Sequence, residues 1–147
     1  ANYYLDDRRA KYSNTTQRLN AMTADVQQET AKVATRTSTL KRVIEDDKQQ
    51  IASIQQGIKA KTVDKAKAQK DIATIDKNIA LMRKDVSNMK ARVTEFENVA
   101  KLEREGGSSQ AEVQKVEAEI YKMNTKVASL QQEVDGLYNQ RSAITLG

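Results

Sequence analysis

Adjacent acidic residues are the first feature of this sequence that could support chemistry. Asp6 precedes Asp7, and Asp46 precedes Asp47; paired carboxylates can bind a metal ion or exchange a proton. Adjacent side chains on a helix point about 100° apart, and no third ligand recurs at a useful spacing. We therefore expect solvated helix faces. Asp47 is the exception, because it falls at a core position where a buried charge is costly unless it is paired or hydrated.

This chain lacks two residue types that many enzymes use for catalysis. The 147 residues include no Cys and no His. Zinc, thiolate, iron–sulfur and imidazole chemistry each depend on one of these two residue types. The sequence therefore predicts a non-enzymatic protein without a cofactor or a metal site.

Five lysines close together, here called the lysine group, could attract an anionic partner. They are Lys59, Lys61, Lys65, Lys67 and Lys70. Nucleic acid is disfavoured as the partner because no aromatic or glycine set is interleaved with the lysines and the net charge is only +5. We favour a solvated turn or exposed helix face. The alternative function is a binding module for anionic surfaces, membrane lipid or nucleic acid, through this group.

The elements that position these residues are predicted to be α-helices. Proline is absent, glycine occurs five times, and hydrophobic residues make up 38% of the chain with aromatics at 4%. A thick globular core is difficult to build from this composition, whereas an elongated fold with a narrow apolar seam is easier. The abundant Ala, Lys, Gln, Glu, Arg and Leu lose least on entering a helix.

A heptad pattern begins near the N-terminus, and its core positions form what we call the N-terminal face. Every second core position is polar, mostly threonine, and the hydroxyls either fix the register by hydrogen bonding or belong to a weak seam of small residues. Because half of the seam is polar, we predict a partner or oligomer face here. The face comprises Leu5, Tyr12, Thr16, Leu19, Thr23, Val26, Thr30, Val33, Thr37 and Leu40.

The same heptad register continues from Ile44 to Ala100 and is interrupted at Asp47 and between Lys61 and Lys65. The glycines and serines at 106–109 predict a loop. A second seam, from Val113 to Ile144, follows in a shifted register. Two tyrosines flank this second seam, and we expect their rings to pack at the edge of the core. They are Tyr121 and Tyr138.

Two architectures agree with these patterns. The preferred one is an antiparallel coiled-coil bundle of three helices, at about 3–58, 64–105 and 110–146, in a single domain spanning 1–147. Asp64 is a suitable cap for the second of these helices. The alternative is one very long helix from about 3 to 105 with a shorter helix folded back on it. The unbroken register across Gly57 supports the alternative.

Apolar residues also cluster at the very start of the chain. Tyr3, Tyr4 and Leu5 are predicted either to cap the bundle or to contact something upstream, such as a membrane anchor. The chain begins with Ala1 rather than Met, so we expect a processed form or a fragment. No stretch approaches the roughly 20 apolar residues of a membrane span. Membrane association would depend on an upstream anchor or on the lysine group.

These patterns favour a structural or interaction protein, a coiled-coil scaffold that presents helical faces to protein partners or associates with itself. The composition is rich in Thr, Gln, Ser, Asn and Ala and lacks Cys and Trp. It resembles that of bacterial cell-envelope coiled-coil proteins, including periplasmic parts of lipoproteins and components of secretion or conjugation systems. The resemblance covers no motif. It implies a periplasmic or cell-envelope location, with the cytoplasm as the alternative.

Overall fold

The protein is an all-α helical bundle. The computed structural model describes residues 3–12 and 14–147, and within these ranges it contains four helices and no strand. They are α1 (Tyr3–Lys11), α2 (Thr15–Ala60), α3 (Lys65–Glu105) and α4 (Gln110–Ser142). The helices pack against one another, which confirms the all-α prediction.

The chain divides into two compact units, and α2, α3 and α4 each contribute to both. Unit 1 consists of Ala1–Thr35 and Asn88–Val127, and unit 2 of Arg36–Ser87 and Ala128–Gly147. Unit 1 contains α1 and the turn between α3 and α4, and unit 2 contains the turn between α2 and α3. Within the described residues, no helix is both long and apolar enough to cross a membrane.

The core of unit 1 consists of the heptad positions predicted from the sequence, with two additions. Met22 and Val99 are buried although they lie outside the predicted seam. Burial of apolar surface contributes about 25 cal/mol per Å², so this seam is the main stabilising feature of the unit. Its other buried apolar residues are Leu5, Leu19, Val26, Val33, Val93, Phe96, Ala100, Val113, Val116, Ile120, Met123 and Val127.

The core of unit 2 follows the same pattern and ends before the turn between α2 and α3. Ile58 lies on the predicted seam but is exposed, and so are Lys61 and Lys65. The apolar pattern therefore stops where the helices separate into a turn. The buried apolar residues of unit 2 are Leu40, Ile44, Ile51, Ile54, Ala68, Ile72, Ile75, Ile79, Met82, Val86, Leu130, Val134, Leu137 and Ile144.

The prediction of one uninterrupted helix over 3–58 is wrong, because the described residues contain a helix boundary near Asn14. The Asn14 side-chain oxygen accepts a hydrogen bond from the backbone N–H of Gln17 at 3.2 Å. Asparagine at this position satisfies one of the free N–H groups of a new helix. An Asn with Gln three residues later is a recognised start signal, so the boundary was readable from the sequence.

The turn between α2 and α3 excludes the single long helix considered above. The backbone N–H of Thr62 donates to the Gly57 carbonyl at 2.8 Å, and that of Lys61 donates to the Ile58 carbonyl at 3.1 Å. These two bonds form a Schellman motif, which satisfies carbonyls at the end of α2. The motif requires a left-handed residue, and Lys61 adopts it with φ of 57°. Asp64 accepts from the N–H of Lys67 at 3.1 Å, which confirms its predicted capping role.

The turn between α3 and α4 repeats the same motif with a different residue at its centre. Here the N–H of Ser108 donates to the Glu103 carbonyl at 3.1 Å, and that of Gly107 donates to the Arg104 carbonyl at 3.3 Å. Gly107 takes the left-handed conformation, with φ of 87°. Glycine adopts this conformation without the steric cost that a β-carbon brings.

Candidate functional site

The structure places most of the N-terminal face inside the bundle. The chain itself covers the apolar positions of this face, so it is not an open surface in this fold. Thr16 is exposed, and Tyr12, Thr23 and Thr30 are half-buried. The buried members of the face are Leu5, Leu19, Val26, Val33, Thr37 and Leu40.

Two threonine hydroxyls of this face hydrogen bond to their own helix. The Thr23 hydroxyl donates to the Leu19 carbonyl at 2.9 Å, and the Thr30 hydroxyl donates to the Val26 carbonyl at 2.8 Å. A hydroxyl satisfied by the preceding turn can lie at a core edge without a partner from another helix. Both hydroxyls therefore donate within α2.

Helix α1 packs on unit 1 through the N-terminal apolar cluster. The Tyr4 ring meets the buried Phe96 ring edge to face, with centroids 5.5 Å apart, and the Tyr4 hydroxyl donates to the Asp25 carboxylate at 2.6 Å. Arg8 also donates to Asp25. Leu5 is buried, whereas Tyr3 is largely exposed. Tyr4 and Leu5 therefore contact the bundle, which is one of the two roles predicted for this cluster.

A buried ion pair between α2 and α3 is the most enclosed charged group of unit 1. The Arg18 guanidinium donates two hydrogen bonds to the Glu103 carboxylate, at 2.8 and 3.0 Å, and the Ser108 hydroxyl donates a third at 2.6 Å. Glu103 is only 1% exposed. Burial on its own would raise the pKa of Glu103, but the hydrogen bonds from Arg18 and Ser108 outweigh it and lower that pKa.

This ion pair was not predicted from the sequence. The predicted seam ends at Ala100, although Glu103 is the next core position of the same register after Phe96 and Ala100. The register therefore contained a signal for burial of Glu103. The identity of its partner was not readable, because Arg18 lies 85 residues earlier in the chain.

Unit 2 buries one carboxylate without a cation. Asp47 is 7% exposed, and its two oxygens accept from the Asn78 side-chain amide at 3.1 and 3.4 Å. Burial raises the pKa of the Asp47 carboxyl, the Asn78 hydrogen bond opposes this, and neighbouring Asp46 adds to it. The cost of burying a charge that was predicted at this core position is therefore present, and the hydrogen bond from the neutral Asn78 amide reduces it.

The other members of the two acidic pairs lie on the surface. Asp6, Asp7 and Asp46 are exposed. Among the described residues, no group of three or more acidic side chains could hold a metal ion. Their placement agrees with the expected solvated helix faces.

All members of the lysine group are exposed around the turn between α2 and α3 of unit 2. Lys67 pairs with Asp71 at 2.8 Å, and Lys65 donates to the carbonyl of Gly147. The other three, Lys59, Lys61 and Lys70, make no ion pair within the part of the chain that the structure describes. The turn therefore presents three lysines that make no ion pair within the described chain.

The two tyrosines on α4 lie in different environments. In unit 2, the Arg83 guanidinium lies 4.3 Å from the centroid of the Tyr138 ring and pairs with Asp135 at 3.7 Å. In unit 1, Tyr121 is 72% exposed. The expectation that both rings pack at the core edge is therefore wrong for Tyr121, because no guanidinium in the described chain covers its ring.

Tyr121 borders a groove between α3 and α4 of unit 1 with a volume of about 260 Å³. The buried Ile120 and Ala100 form its apolar floor. Its acidic lining includes Glu117, which accepts from Arg104, and Glu97, which is exposed and pairs with no cation among the described residues. The remaining lining residue is Asn124. Small-molecule pockets usually have about 300–1,000 Å³, so this groove suits a single side chain better.

No protein-family model, no curated protein and no solved structure matches this chain. Its function is therefore inferred from its own residues and contacts.

Proposed function

We propose that the protein is a non-enzymatic scaffold of the cell envelope, an antiparallel three-helix coiled coil that presents its outer helical faces to protein partners. The observation that supports this proposal is the burial of the apolar heptad positions within the chain. They are occupied by buried side chains along α2, α3 and α4. Because the helices of this chain bury the apolar seam against one another, the charged outer faces are the surfaces accessible to protein partners.

The order of the contacts within unit 2 supports the antiparallel arrangement of α2 and α3. Arg36 donates to Asp85 at 2.9 Å, and Asp47 accepts from Asn78 at 3.1 Å. The residue number rises along α2 while that of the partner falls along α3. Antiparallel neighbours joined by short turns give this order.

Contacts of α4 within unit 2 support the third helix of the proposed arrangement. Arg141 donates to Asp76 at 2.6 Å and Asp135 lies 3.7 Å from Arg83, so α4 opposes α3. Lys41 of α2 donates to Ser129 of α4 at 2.9 Å. Such partly exposed pairs contribute little to stability, about 0–1 kcal/mol each, but they favour one orientation over another.

Burial of the N-terminal face changes where partners should bind. A helix that docks there would first have to displace α1 or open the seam, because Leu19, Val26 and Val33 are covered by the chain. We therefore assign recognition to exposed outer positions, and we keep the N-terminal face as an intramolecular one.

Photo-crosslinking in living cells of the source organism tests the scaffold proposal. A crosslinking amino acid at exposed Leu81, Lys77 or Tyr121 should give discrete adducts with other proteins, whereas one at buried Ile75 should give none. Fractionation of the same cells should place the protein in the periplasm or envelope. Absence of adducts from every outer position would contradict the scaffold, and recovery in the cytoplasm would contradict its location.

A second candidate is binding to anionic surfaces through the lysine group, because all five of its side chains are exposed. Neighbouring Asp64 and Asp71 reduce the local positive charge, and Lys67 is already paired with Asp71. This is why we rank it second.

Co-sedimentation with vesicles of anionic phospholipid, and gel shift with duplex DNA, test the second candidate. Binding should weaken as salt rises and should disappear when all five lysines are changed to Glu. Five exposed lysines elsewhere, changed in the same way, provide the charge-matched control. They are Lys77, Lys84, Lys90, Lys122 and Lys126. Absence of binding at low salt would exclude this function.

A further inference from the structure

The groove beside Tyr121 has the components of a cation site, and none of its lining residues is a cation. An exposed aromatic ring attracts a cation to its face, and the adjacent Glu97 carboxylate has no partner of its own within the described residues. The nearby cations are already engaged: Arg104 donates to Glu117, and Lys101 lies 4.0 Å from Glu105. The groove therefore combines apolar contact, a ring face and an uncompensated negative charge.

Unit 2 shows how such a combination is satisfied in the same protein. Tyr138 and Asp135 are three residues apart on α4, and Arg83 from α3 contacts both. In unit 1, Glu117 precedes Tyr121 by four residues on α4, but the α3 residues that line the groove are Ala100 and the acidic Glu97. Among the described residues no guanidinium lies over the Tyr121 ring, so its face is open to a cation from another molecule.

The turn between α2 and α3 carries a surface with complementary charge. Lys59, Lys61 and Lys70 are exposed and unpaired within the described chain, and Ile58 beside them is 36% exposed. Lysine can lie over a tyrosine ring and pair with a carboxylate, while Ile58 can contact the apolar floor of a groove. Both halves of a complementary contact are thus present on one molecule.

We propose that the α2–α3 turn of one copy docks into the Tyr121 groove of a second copy. This inference rests on the proposed scaffold function and names one of its partners. The two surfaces are different, so the contact is heterologous and a pair of bound copies still has one free groove and one free turn. Open-ended assemblies follow from such a contact. The small, charged surfaces predict weak association that salt suppresses.

Sedimentation velocity and light scattering of the full chain provide the first test. At low salt the weight-average mass should rise above the single-chain 16.5 kDa as the concentration increases from about 10 μM to about 1 mM. In about 0.5 M salt it should return to the single-chain value, because the Debye length falls well below 10 Å. A constant single-chain mass at low salt would overturn the proposal.

Two variants, each lacking one surface, give the decisive test. The groove variant is Glu97→Lys with Tyr121→Ala, and the turn variant is Lys59→Glu with Lys61→Glu. Each should remain a single chain when alone, and an equimolar mixture should form a complex of two chains that grows no further, since one variant keeps the turn and the other keeps the groove. Circular dichroism checks that both variants retain the wild-type helix content.

Matched controls change exposed residues away from both surfaces. Leu81→Ala truncates a large exposed side chain, and Lys77→Glu with Lys84→Glu reproduces the charge change of the turn variant. Both should associate like the wild type. Assembly by either surface variant alone would overturn the proposal, and so would a mixture that stays at the single-chain mass. Crosslinks to other proteins would then still support the scaffold, so the two proposals fail independently.

Discussion

Units 1 and 2 each bury a carboxylate at a core heptad position but satisfy it with different partners. In unit 1, Glu103 accepts from the Arg18 guanidinium and the Ser108 hydroxyl. In unit 2, Asp47 accepts only from the neutral amide of Asn78 among the described residues. The pKa moves down at Glu103 and up at Asp47. Burial is common to both, so the charge of the partner determines the direction.

This difference has a structural consequence. The Arg18–Glu103 pair links the first turn of α2 to the last turn of α3, and Ser108 extends it into the following loop. Asp47 lies in the middle of α2, where an apolar residue would pack without a desolvation cost. We infer that the first site defines how the helix ends meet, whereas the second reduces stability at neutral pH.

The largest effect is expected from removing the Arg18 guanidinium. Arg18→Met should reduce the free energy of unfolding at pH 7 by about 3–5 kcal/mol, because Glu103 is then buried without a cation. Urea denaturation measures this change. The double variant Arg18→Met with Glu103→Leu should recover most of the loss. A loss below about 1 kcal/mol in the single variant would mean that Glu103 does not depend on Arg18.

Replacing the buried aspartate of unit 2 should change the free energy of unfolding in the opposite direction. Asp47→Leu should increase the free energy of unfolding at pH 7 by about 1–2 kcal/mol, since an apolar side chain replaces a buried charge on the seam. Asn78 is half-buried and can bond to water instead. Asp46→Leu at the exposed neighbouring position should change stability by less than about 0.5 kcal/mol. Destabilisation by Asp47→Leu would show that the Asp47–Asn78 bond outweighs desolvation.

The pH dependence of stability should separate the two carboxylates. Because the pKa of Glu103 is lowered by folding, its contribution is complete above its ordinary value of 4.5 and is lost as the pH falls through the folded-state pKa. Because the pKa of Asp47 is raised above 3.8 by folding, its penalty is complete above the folded-state pKa and is relieved as the pH falls below it.

Urea denaturation between about pH 3 and pH 7 measures this contrast in two variants. The stabilisation caused by Asp47→Asn should shrink as the pH falls. The loss caused by Glu103→Gln should also shrink, but it should remain at its full value until the pH is below 4.5. If the difference in the free energy of unfolding between wild type and either variant did not depend on pH, folding would not shift the pKa of that carboxyl group.

The smallest effect is expected at the two turns, which differ in the residue at the left-handed position. Lys61→Gly should raise the free energy of unfolding by about 0.5–1 kcal/mol, because glycine removes the steric cost of a positive φ. Lys59→Gly, inside α2, should instead lower it by about 1 kcal/mol. Thermal unfolding followed by circular dichroism compares them. Equal effects of the two substitutions would contradict the role of φ at Lys61.

Much of the fold was predictable because helix packing has a short sequence period. The apolar seam positions from Leu19 to Ile54 and from Val113 to Leu137 are buried. Asp64 caps α3 as expected. The boundary at Asn14 was also signalled, by Gln17 three residues later, but the continuous heptad register concealed it.

The surfaces were less predictable than the core. The polar positions of the N-terminal face suggested an open surface, yet Thr23 and Thr30 satisfy their hydroxyls within their own helix and leave the apolar positions covered. Tyr121 and Tyr138 both flank the α4 seam. Their neighbours on α3 differ: the Arg83 guanidinium lies 4.3 Å from the centroid of the Tyr138 ring, which is 44% exposed, whereas Glu97 lines the groove beside Tyr121, which is 72% exposed.

The sequence by itself determined that the chain is helical and which side of each long helix is buried, because the heptad period is a property of each segment. Only the tertiary structure decided that Arg18 meets Glu103, that Asp47 meets Asn78, and that Tyr121 is exposed. Those outcomes depend on the rotation and axial register of one helix against another. A period within a single helix does not specify that relationship.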